Sequence, residues 1–298
     1  MTSLFSRSFN TSSKVLQEVP KNCTKFYPVR PSAKTLRHLR FTVPLDYSKG
    51  SNIQEKFCGA FLEFKKMQSK IERKYKELEA QNLTTNEYET QLLSSILEMK
   101  PSPTILSFEF NSIITAGRRE KYRLTDANIN SLKDNTGYDF IQTNRGGEIT
   151  FHNHGQLVIY PIFDLKDFHN LTIKCFVSQL EDSVISTLDK FDIKGHKTDN
   201  TGVWINDNNK ISSIGLQVSR SVTSHGISIN VNNEIPDLEG KTGFPFCGLP
   251  GKTQTSMKEQ LRNDVKVNEV STQFVRELAK KLNIEQIESV DLDDLQID

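Results

Sequence analysis

The chain has 298 residues, of which 36% are hydrophobic and 25% are charged, and its formal net charge is +1. This length is sufficient to bury a sizeable core, and the sequence contains no run of 18 apolar residues that would span a membrane. Residues 1–40 carry eight Lys/Arg and one acid, so the rest of the chain is mildly acidic. An acidic body argues against nucleic acid as the main ligand.

The N-terminal segment, residues 1–17, reads MTSLFSRSFNTSSKVLQ and holds seven Ser/Thr, two basic residues and no acid. This composition is typical of an organelle transit peptide, whereas a secretory signal would need a continuous apolar stretch. We predict a mitochondrial presequence over residues 1–17, ending between about residue 9 and residue 20, and a catalytic domain over residues 18–298. The alternative is a disordered basic tail.

The next elements are helices. After a lead-in interrupted by prolines, apolar residues recur at spacings of three, four or seven over residues 53–80, which predicts an amphipathic helix. A second helix is predicted to end near Lys100. The apolar stripe of the long helix is expected to face the core or a partner helix.

The pattern changes from residue 103 onward. Short β-prone runs alternate with Gly, Asn, Asp and Pro: PTILSFEF, SIITAG, GEITF, QLVIYPIF, TGVWI, SSIGLQV and HGISINV. Residues 174–189 and 255–282 show helical spacing. Helices at both ends and in the middle of a sheet-rich centre predict an α+β fold, a mixed, largely antiparallel sheet flanked by helices. Residues 18–100 would form an N-terminal extension with helices, and residues 101–298 the core that carries the motifs.

The four cysteines are Cys23, Cys58, Cys175 and Cys247, and they show neither CxxC pairing nor zinc spacing. We therefore expect separate thiols in a reducing compartment, of which at most one is chemical.

Residues 145–161, RGGEITFHNHGQLVIYP, admit three interpretations: a metal site, a phosphate cradle, or a substrate-facing turn between two strands. His152 and His154 would share one strand face, but no acidic or cysteine ligand lies nearby, so we predict no metal. Neither GxGxxG nor GxxxxGK[ST] is present. The glycines of RGG allow close approach of the backbone to a ligand, and Arg145 offers a planar fork of donors, which favours the substrate-facing turn.

Two further stretches carry candidate chemistry. Residues 210–231, KISSIGLQVSRSVTSHGISINV, predict a hairpin whose first strand opens with Lys210. Residues 243–251, GFPFCGLPG, place Cys247 in a turn of small residues that leave its sulfur accessible. Taken singly, a turn cysteine is usually inert and a lysine at a strand edge is usually solvated.

The order of these motifs is more informative than any one of them. RGG…H, then KISSIG, then SHGISINV, then CGL resembles the lipoate-biosynthesis octanoyltransferases, also called lipoyl(octanoyl) transferases, from about residue 103 through the C-terminal helix. RGGEITFHNHGQLVIYP matches the family pattern RGGxxTxHGPGQxxxYP. The chain departs from the family at two places. Asn153 and His154 replace Gly and Pro, and Phe246 separates Pro245 from Cys247 where the family has proline directly before the cysteine.

The resemblance implies a cysteine/lysine acyltransferase on the fold shared with biotin and lipoate ligases, without a cofactor. The enzyme would move an octanoyl group from octanoyl-acyl carrier protein to a lysine of lipoyl-carrier proteins, namely the glycine cleavage H protein and the E2 lipoyl domains of 2-oxoacid dehydrogenases, in the mitochondrial matrix. Cys247 would form the acyl thioester, and Lys210 would lower the pKa of its thiol. The octanoyl pocket would be lined by Arg145, Gly146, Gly147, Glu148, Ile149, Thr150, Phe151, His152, Ser213, Ile214, Gly215, Gly226, Ile227 and Ser228.

Two alternatives stay open. An ATP-dependent lipoate or octanoate ligase on the same fold would need no cysteine, and a non-catalytic acyl-binding protein would keep only the pocket. The basic cluster AGRREKYR, residues 116–123, suits an acidic carrier protein, or is a solvated loop.

Overall fold

The computed structural model describes residues 23–244 and 249–292. The predicted presequence and Cys247 lie outside these ranges. The strands are β1 (Thr35–Phe41), β2 (Thr104–Phe108), β3 (Ile113–Ala116), β4 (Asp139–Gln142), β5 (Ile149–His152), β6 (Gln156–Ile162), β7 (Val203–Trp204), β8 (Asn209–Ser219), β9 (Val222–Asn230), β10 (Thr253–Gln254) and β11 (Gln286–Leu292). The helices are α1 (Tyr47–Ala80), α2 (Glu87–Glu98), α3 (Asp126–Thr136), α4 (Ile173–Asp189), α5 (Leu238–Thr242), α6 (Met257–Leu261) and α7 (Val267–Lys281).

The strands form a large sheet and a small one. The large sheet has the order β10-β8-β9-β6-β2-β1-β11, with β7 paired to β8, and the small sheet has the order β4-β3-β5. The run β8-β9-β6-β2 is antiparallel, whereas β1 is parallel to both β2 and β11. The predicted α+β class with a mixed, largely antiparallel sheet flanked by helices is confirmed.

Strand alternation divides the core between the two faces of the large sheet. On β6, Leu157 and Ile159 join the core that packs on α4 and α7, while Val158 and Tyr160 face the core that includes α1. This period of two follows from the pleat of a strand. The small sheet builds a third cluster around Ile114 and Phe151.

Helix α1 begins at Tyr47, six residues before the predicted helix. Its first turns contain Gly50, and a Cβ there would lie 2.5 Å from Cε1 of the Phe110 ring. The glycine therefore lets the helix approach Phe110, although it interrupts the apolar periodicity on which the prediction rested.

Buried ion pairs hold the N-terminal helices on the sheet. The Lys65 Nζ of α1 lies 2.6 Å from a carboxylate oxygen of Asp164, and the Lys100 Nζ lies 3.0 Å from the same oxygen and 2.5 Å from Asp167 Oδ1. Both carboxylates are buried, so removal of either lysine would leave an uncompensated charge. These pairs fix the middle of α1 and the segment after α2 relative to the strands beneath them.

Several elements differ from the sequence expectation. The lead-in contains a regular strand, β1, and the acidic C-terminal stretch contains β11, which pairs with β1 in parallel. Helix α3 and strand β4 were not predicted. The helix expected over residues 255–282 is two helices, α6 and α7, because Arg262 at the end of α6 has a left-handed φ of 58°. Within the described ranges, no helix has the length and apolar character needed to cross a membrane.

The expectation of four separate thiols is wrong for one pair. Cys23 and Cys175, which are 152 residues apart, form a disulfide. Backbone hydrogen bonds from Val29 N–H to Asp167 C=O and from His169 N–H to Tyr27 C=O run the N-terminal segment beside the residues that precede α4. This pairing brings Cys23 to the first turn of α4, and no local spacing in the sequence could reveal it.

Candidate active site

The RGG motif lies in the turn between β4 and β5, and a turn between two strands was predicted here. Gly147 has a φ of +88°, which favours glycine. The Gly146 N–H donates to the Leu216 carbonyl at 3.0 Å, and a Cβ on Gly215 would lie 2.6 Å from the Gly146 carbonyl oxygen. The glycines thus allow the turn to pack directly on the backbone of β8.

Arg145 is buried and holds this turn together. Its guanidinium donates to the carbonyls of Thr115 (2.8 Å), Glu148 (2.9 Å) and Gly146 (3.0 Å) and to the Thr115 hydroxyl (2.9 Å). The fork predicted for a ligand therefore bonds largely to the protein's own backbone. Its positive charge remains beside the cavity that it lines.

The predicted site residues converge on one cavity of about 300 Å³. Its lining contains most of them: Arg145, Gly147, Glu148, Thr150, His152, Lys210, Ser213, Ile214, Gly215, Gly226, Ile227 and Ser228. Three predicted residues do not line it. Gly146 packs on the backbone of β8. The side chains of Ile149 and Phe151 point into the core of the small sheet, because side chains alternate between the two faces of a strand. We call this space the acyl cavity, after the octanoyl pocket that the family resemblance implies for these residues.

Lys210, at the start of β8, is buried although it is a lysine. Its Nζ lies 5.1 Å from the centre of the Trp204 ring, a cation–π contact. A Cβ on Gly202 would lie 2.5 Å from the Lys210 Cε, so a glycine is needed for the side chain to fit. The Gly202 N–H donates to Glu181 Oε1 at 2.9 Å, and this carboxylate lies near enough to the ammonium to interact electrostatically. Burial is the main reason that the pKa of Glu181 is raised.

His152 is the last residue of a hydrogen-bond relay, which consists of Thr255, Asn230, Gln156 and His152. Asn230 Nδ2 donates to the Thr255 carbonyl (3.0 Å), so its Oδ1 accepts from Gln156 Nε2 (2.9 Å). The amide orientation of Gln156 is thereby fixed, and its Oε1 lies 2.7 Å from His152 Nδ1. Because an amide oxygen only accepts, Nδ1 must carry the proton, and Nε2 keeps its lone pair.

The His152 ring at the end of this relay is neutral. Burial, and then the charge of Arg145, lower the pKa of His152 to about 3. The ring lines the acyl cavity, so Nε2 is the ring nitrogen that can accept a hydrogen bond from an occupant. His152 was predicted from the sequence, but Gln156 and Asn230 were not, because their roles depend on contacts between β6 and β9.

His154 does not join His152 in a metal site. Its Nδ1 lies 3.0 Å from Glu109 Oε2, and its side chain is 76% exposed. Nor do the described residues contain any group of three His, Cys, Asp or Glu side chains that could hold a metal ion.

A wall of two tyrosines and a histidine in the acyl cavity was not predicted from the sequence. Tyr47 from α1, Tyr160 from β6 and His225 from β9 all line it. The Tyr160 and His225 rings meet edge to face, with their centres 5.8 Å apart. The family pattern ends at the Tyr160-Pro161 pair, and His225 lies in the SHGISINV block, but neither ring was predicted to line the cavity.

The chain matches a known protein family and shares its fold with solved structures. Residues 81–279 match the family model of the lipoyl protein ligase A/B catalytic domain. Two solved structures share the fold: a bipartite lipoate protein ligase from Thermoplasma acidophilum (TM-score 0.52, 12% identity, 87% of each chain) and LipL1 of P. falciparum in complex with lipoate (TM-score 0.52, 15% identity, 86% of this chain and 66% of that one).

Similar proteins of known name identify the group to which the chain belongs within this family. Mitochondrial octanoyltransferases of Kluyveromyces lactis and Saccharomyces cerevisiae are 41% and 40% identical, over 91% and 97% of this chain and 87% and 92% of theirs. A mitochondrial octanoyl-[acyl-carrier-protein]:protein N-octanoyltransferase of Danio rerio is 38% identical over 60% of this chain and 77% of its own. The chain belongs to the octanoyltransferases, and it is therefore an acyltransferase. The names of these relatives support a mitochondrial location.

Proposed function

We propose that this protein transfers an octanoyl group from octanoyl-acyl carrier protein to a lysine of a lipoyl-carrier domain, through a thioester on Cys247. The observation that carries the proposal is that Lys210 and residues of the RGG, KISSIG and SHGISINV motifs line one cavity together with Leu249. Leu249 is two residues from Cys247, so their Cα atoms are at most about 7.6 Å apart. This limit on chain length supports Cys247 as the residue that would act at this cavity.

The other cysteines support this choice by elimination. Cys23 and Cys175 are joined in a disulfide. Burial raises the pKa of the Cys58 thiol to about 12, so Cys58 is almost entirely protonated at neutral pH. A thiolate is the nucleophilic form of cysteine, which leaves Cys247 as the candidate.

The reaction would proceed in two acyl-transfer steps. The Cys247 thiolate, favoured by the nearby Lys210 ammonium, attacks the donor carbonyl carbon; the donor C–S bond breaks, and the carrier leaves as a thiol after it takes a proton. The acceptor amine then attacks the enzyme thioester, an amide forms, and the Cys247 sulfur leaves. Lys210, neutral after it has given its proton to the departing donor thiolate, accepts the proton that the amine loses.

The carrier and the acceptor would dock in turn beside the basic cluster. Arg118, Arg119, Lys121 and Arg123 are exposed, and Arg119 also lines the acyl cavity. Positive charge at this mouth would steer an acidic carrier protein. As acceptors we propose the glycine cleavage H protein and the E2 lipoyl domains of 2-oxoacid dehydrogenases.

The deciding experiment mixes purified protein, octanoyl-acyl carrier protein and a lipoyl domain without ATP. Intact-mass spectrometry should show an octanoyl increment first on the enzyme and then on the domain, and Cys247→Ser should show neither. The matched control, Cys58→Ser, should retain both. A strict requirement for ATP, or an acylated domain with Cys247→Ser, would contradict the proposal.

We also propose that the protein works in the mitochondrial matrix and is directed there by residues 1–17. Deletion of residues 2–17 should leave transfer in vitro unchanged and leave the protein in the cytosol. Fractionation with matrix markers gives the answer. Normal import of the truncated protein would refute the targeting role.

A further inference from the structure

A second cavity adjoins the acyl cavity. It has a volume of about 520 Å³ and lies between α1, residues 141–144 and the turn end of the β8–β9 hairpin. The two cavities share two lining residues, Tyr47 and His225, which are both buried. We call these two residues the partition.

The partition lies at the far end of the acyl cavity from Lys210. Along β8, the acyl cavity is lined by Lys210 and residues 213–215, and the second cavity by Gln217 and Ser219. His225 pairs with Leu216, between these two sets. The Lys210 side chain extends along the strand toward Leu216, since a Cβ on Gly202, next to the Val203 that pairs with Ser212, would lie 3.1 Å from its Nζ. About four residues of strand, or about 13 Å, therefore separate the ammonium from the level of Leu216. A chain whose carbonyl lies at Lys210 would therefore point its methyl end at the partition.

The partition is built under backbone strain. His225 has a φ of +54°, which is uncommon for a residue with a side chain. Its N–H donates to the Gln54 side chain of α1, a short hydrogen bond that fixes it in this conformation. A Cβ on the next residue, Gly226, would lie 2.1 Å from the Ile159 carbonyl oxygen, so β9 cannot shift toward β6. Strain that the surroundings hold in place is common where a side chain has a functional position.

Helix α1 supplies the other half of the partition. Tyr47 is its first residue, and its ring stacks on that of His152, with the ring centres 5.9 Å apart. Both partition residues therefore depend on α1, through Tyr47 itself and through Gln54. This helix lies before residue 81, where the match to the family model begins.

We propose that Tyr47 and His225 set the length of the acyl chain by closing the acyl cavity against the second cavity. This inference rests on the proposed function. Beyond the partition, the second cavity offers apolar contacts from Leu62, Ile141 and Val222. If the partition were opened, each further methylene buried there would improve binding about fourfold. With the partition closed, a longer chain meets the two buried rings.

The test uses the full chain and two variants that open the partition. His225→Gly removes the ring and suits the positive φ, and Tyr47→Val opens the same wall from α1. The control is Leu62→Ala, which enlarges the second cavity without touching the partition. Circular dichroism and thermal unfolding confirm that each variant is folded.

The primary measurement is the ratio of kcat/KM for dodecanoyl- to octanoyl-acyl carrier protein. We expect this ratio to rise at least tenfold in a folded His225→Gly or Tyr47→Val variant and to stay at the wild-type value in Leu62→Ala. An unchanged ratio in both opened variants, or an equal rise in Leu62→Ala, would overturn the inference.

A binding measurement separates this inference from the proposed function. Equilibrium binding of free octanoate and dodecanoate reports the same selectivity without any transfer. If the wild type transfers no octanoyl group but the opened variants gain dodecanoate binding, the role of the partition is supported and the proposed reaction is contradicted. If the wild type transfers octanoyl and the opened variants keep its selectivity, the partition alone is wrong.

Discussion

The two walls of the acyl cavity are built in different ways. On the motif side, backbones touch, since a Cβ on Gly117, Gly215 or Gly226 would lie within 2.6 Å of a carbonyl oxygen. Elsewhere, the lining consists of the rings of Tyr47, Tyr160 and His225. A wall of backbone leaves no room for any side chain, whereas a wall of rings can be reshaped by substitution. The first is suited to constant chemistry, and the second to a choice of substrate.

The backbone wall should show the largest effect. In Gly226→Ala, the new Cβ would lie 2.1 Å from the Ile159 carbonyl oxygen and 2.5 Å from Pro161 Cδ, so β9 must separate from β6. We expect a loss of about 3 kcal/mol in the free energy of unfolding. Urea unfolding measures it.

Gly59→Ala is the matched control for this prediction. A Cβ on Gly59, inside α1, meets no atom within 4 Å. The substitution should raise the free energy of unfolding by about 0.5–1 kcal/mol, because alanine loses less backbone entropy in a helix. Equal losses in the two variants would show that close backbone approach is not what makes the motif wall rigid.

Lys210 is the residue proposed to act on the thiol, and Gly202 makes room for its side chain. In Lys210→Met, the Cys247 thiol should lose a stabilising positive charge, and its pKa should rise by about one to two units. Iodoacetamide labelling near neutral pH would then slow about ten- to a hundredfold. Transfer should fall further than labelling, because the acceptor amine also loses its proton acceptor.

The comparison for Lys210→Met is Lys194→Met, which removes an exposed ammonium that pairs with Asp189. Its labelling profile should match that of the wild type. If the pH–rate profiles of Lys210→Met and wild type superimpose, Lys210 does not control the ionisation of the thiol and instead positions the substrate.

The ring wall is expected to respond more gradually. Gln156→Met removes the amide oxygen that holds the proton on His152 Nδ1 at 2.7 Å. We expect the Nε2–H form of the ring to appear and the transfer step to slow about tenfold, the effect of one hydrogen bond. Nitrogen-15 NMR of labelled histidine reports the form directly.

Gln273→Met serves as the control for the relay, because Gln273 bonds to Glu277 on α7. That variant should leave both the histidine spectrum and the transfer rate unchanged. If Gln156→Met retains the wild-type spectrum of His152, the relay does not fix the proton and Gln156 is only structural.

The contrast between the walls also explains what the sequence could predict. Glycines that touch backbone, and a lysine at the start of a strand, form short local patterns, so the RGG turn and the β8–β9 hairpin were predicted. The ring wall depends on distant contacts: Tyr47 precedes the periodic part of α1, and the φ of His225 depends on Gln54. The Cys23–Cys175 disulfide and the β1–β11 pair were missed for the same reason, since each joins parts of the chain that no local pattern connects.

The smallest expected effect concerns pH. Burial lowers the pKa of His38 to about 4, of His152 to about 3 and of His225 to about 4. Each is neutral in the folded protein but takes a proton near pH 6.5 when unfolded, so the unfolded state binds more protons as the pH falls. The stability of the folded state is therefore complete above about pH 7 and declines below about pH 6.5. From about pH 7 to 5.5, each histidine should reduce the free energy of unfolding by about 1 kcal/mol.

Burial raises the pKa values of Asp167 and Glu181, so these two carboxyl groups increase the stability of the folded state as the pH falls. The contribution of one histidine is therefore measured as the difference between a variant that lacks it and the wild type. We expect His225→Phe to lose about 1 kcal/mol less than wild type between about pH 7 and 5.5, whatever its stability at neutral pH. Urea unfolding at both pH values measures the difference. The same pH dependence in both proteins would mean that His225 takes up its proton in the folded state, and that the ring wall opens to water on the side of the second cavity.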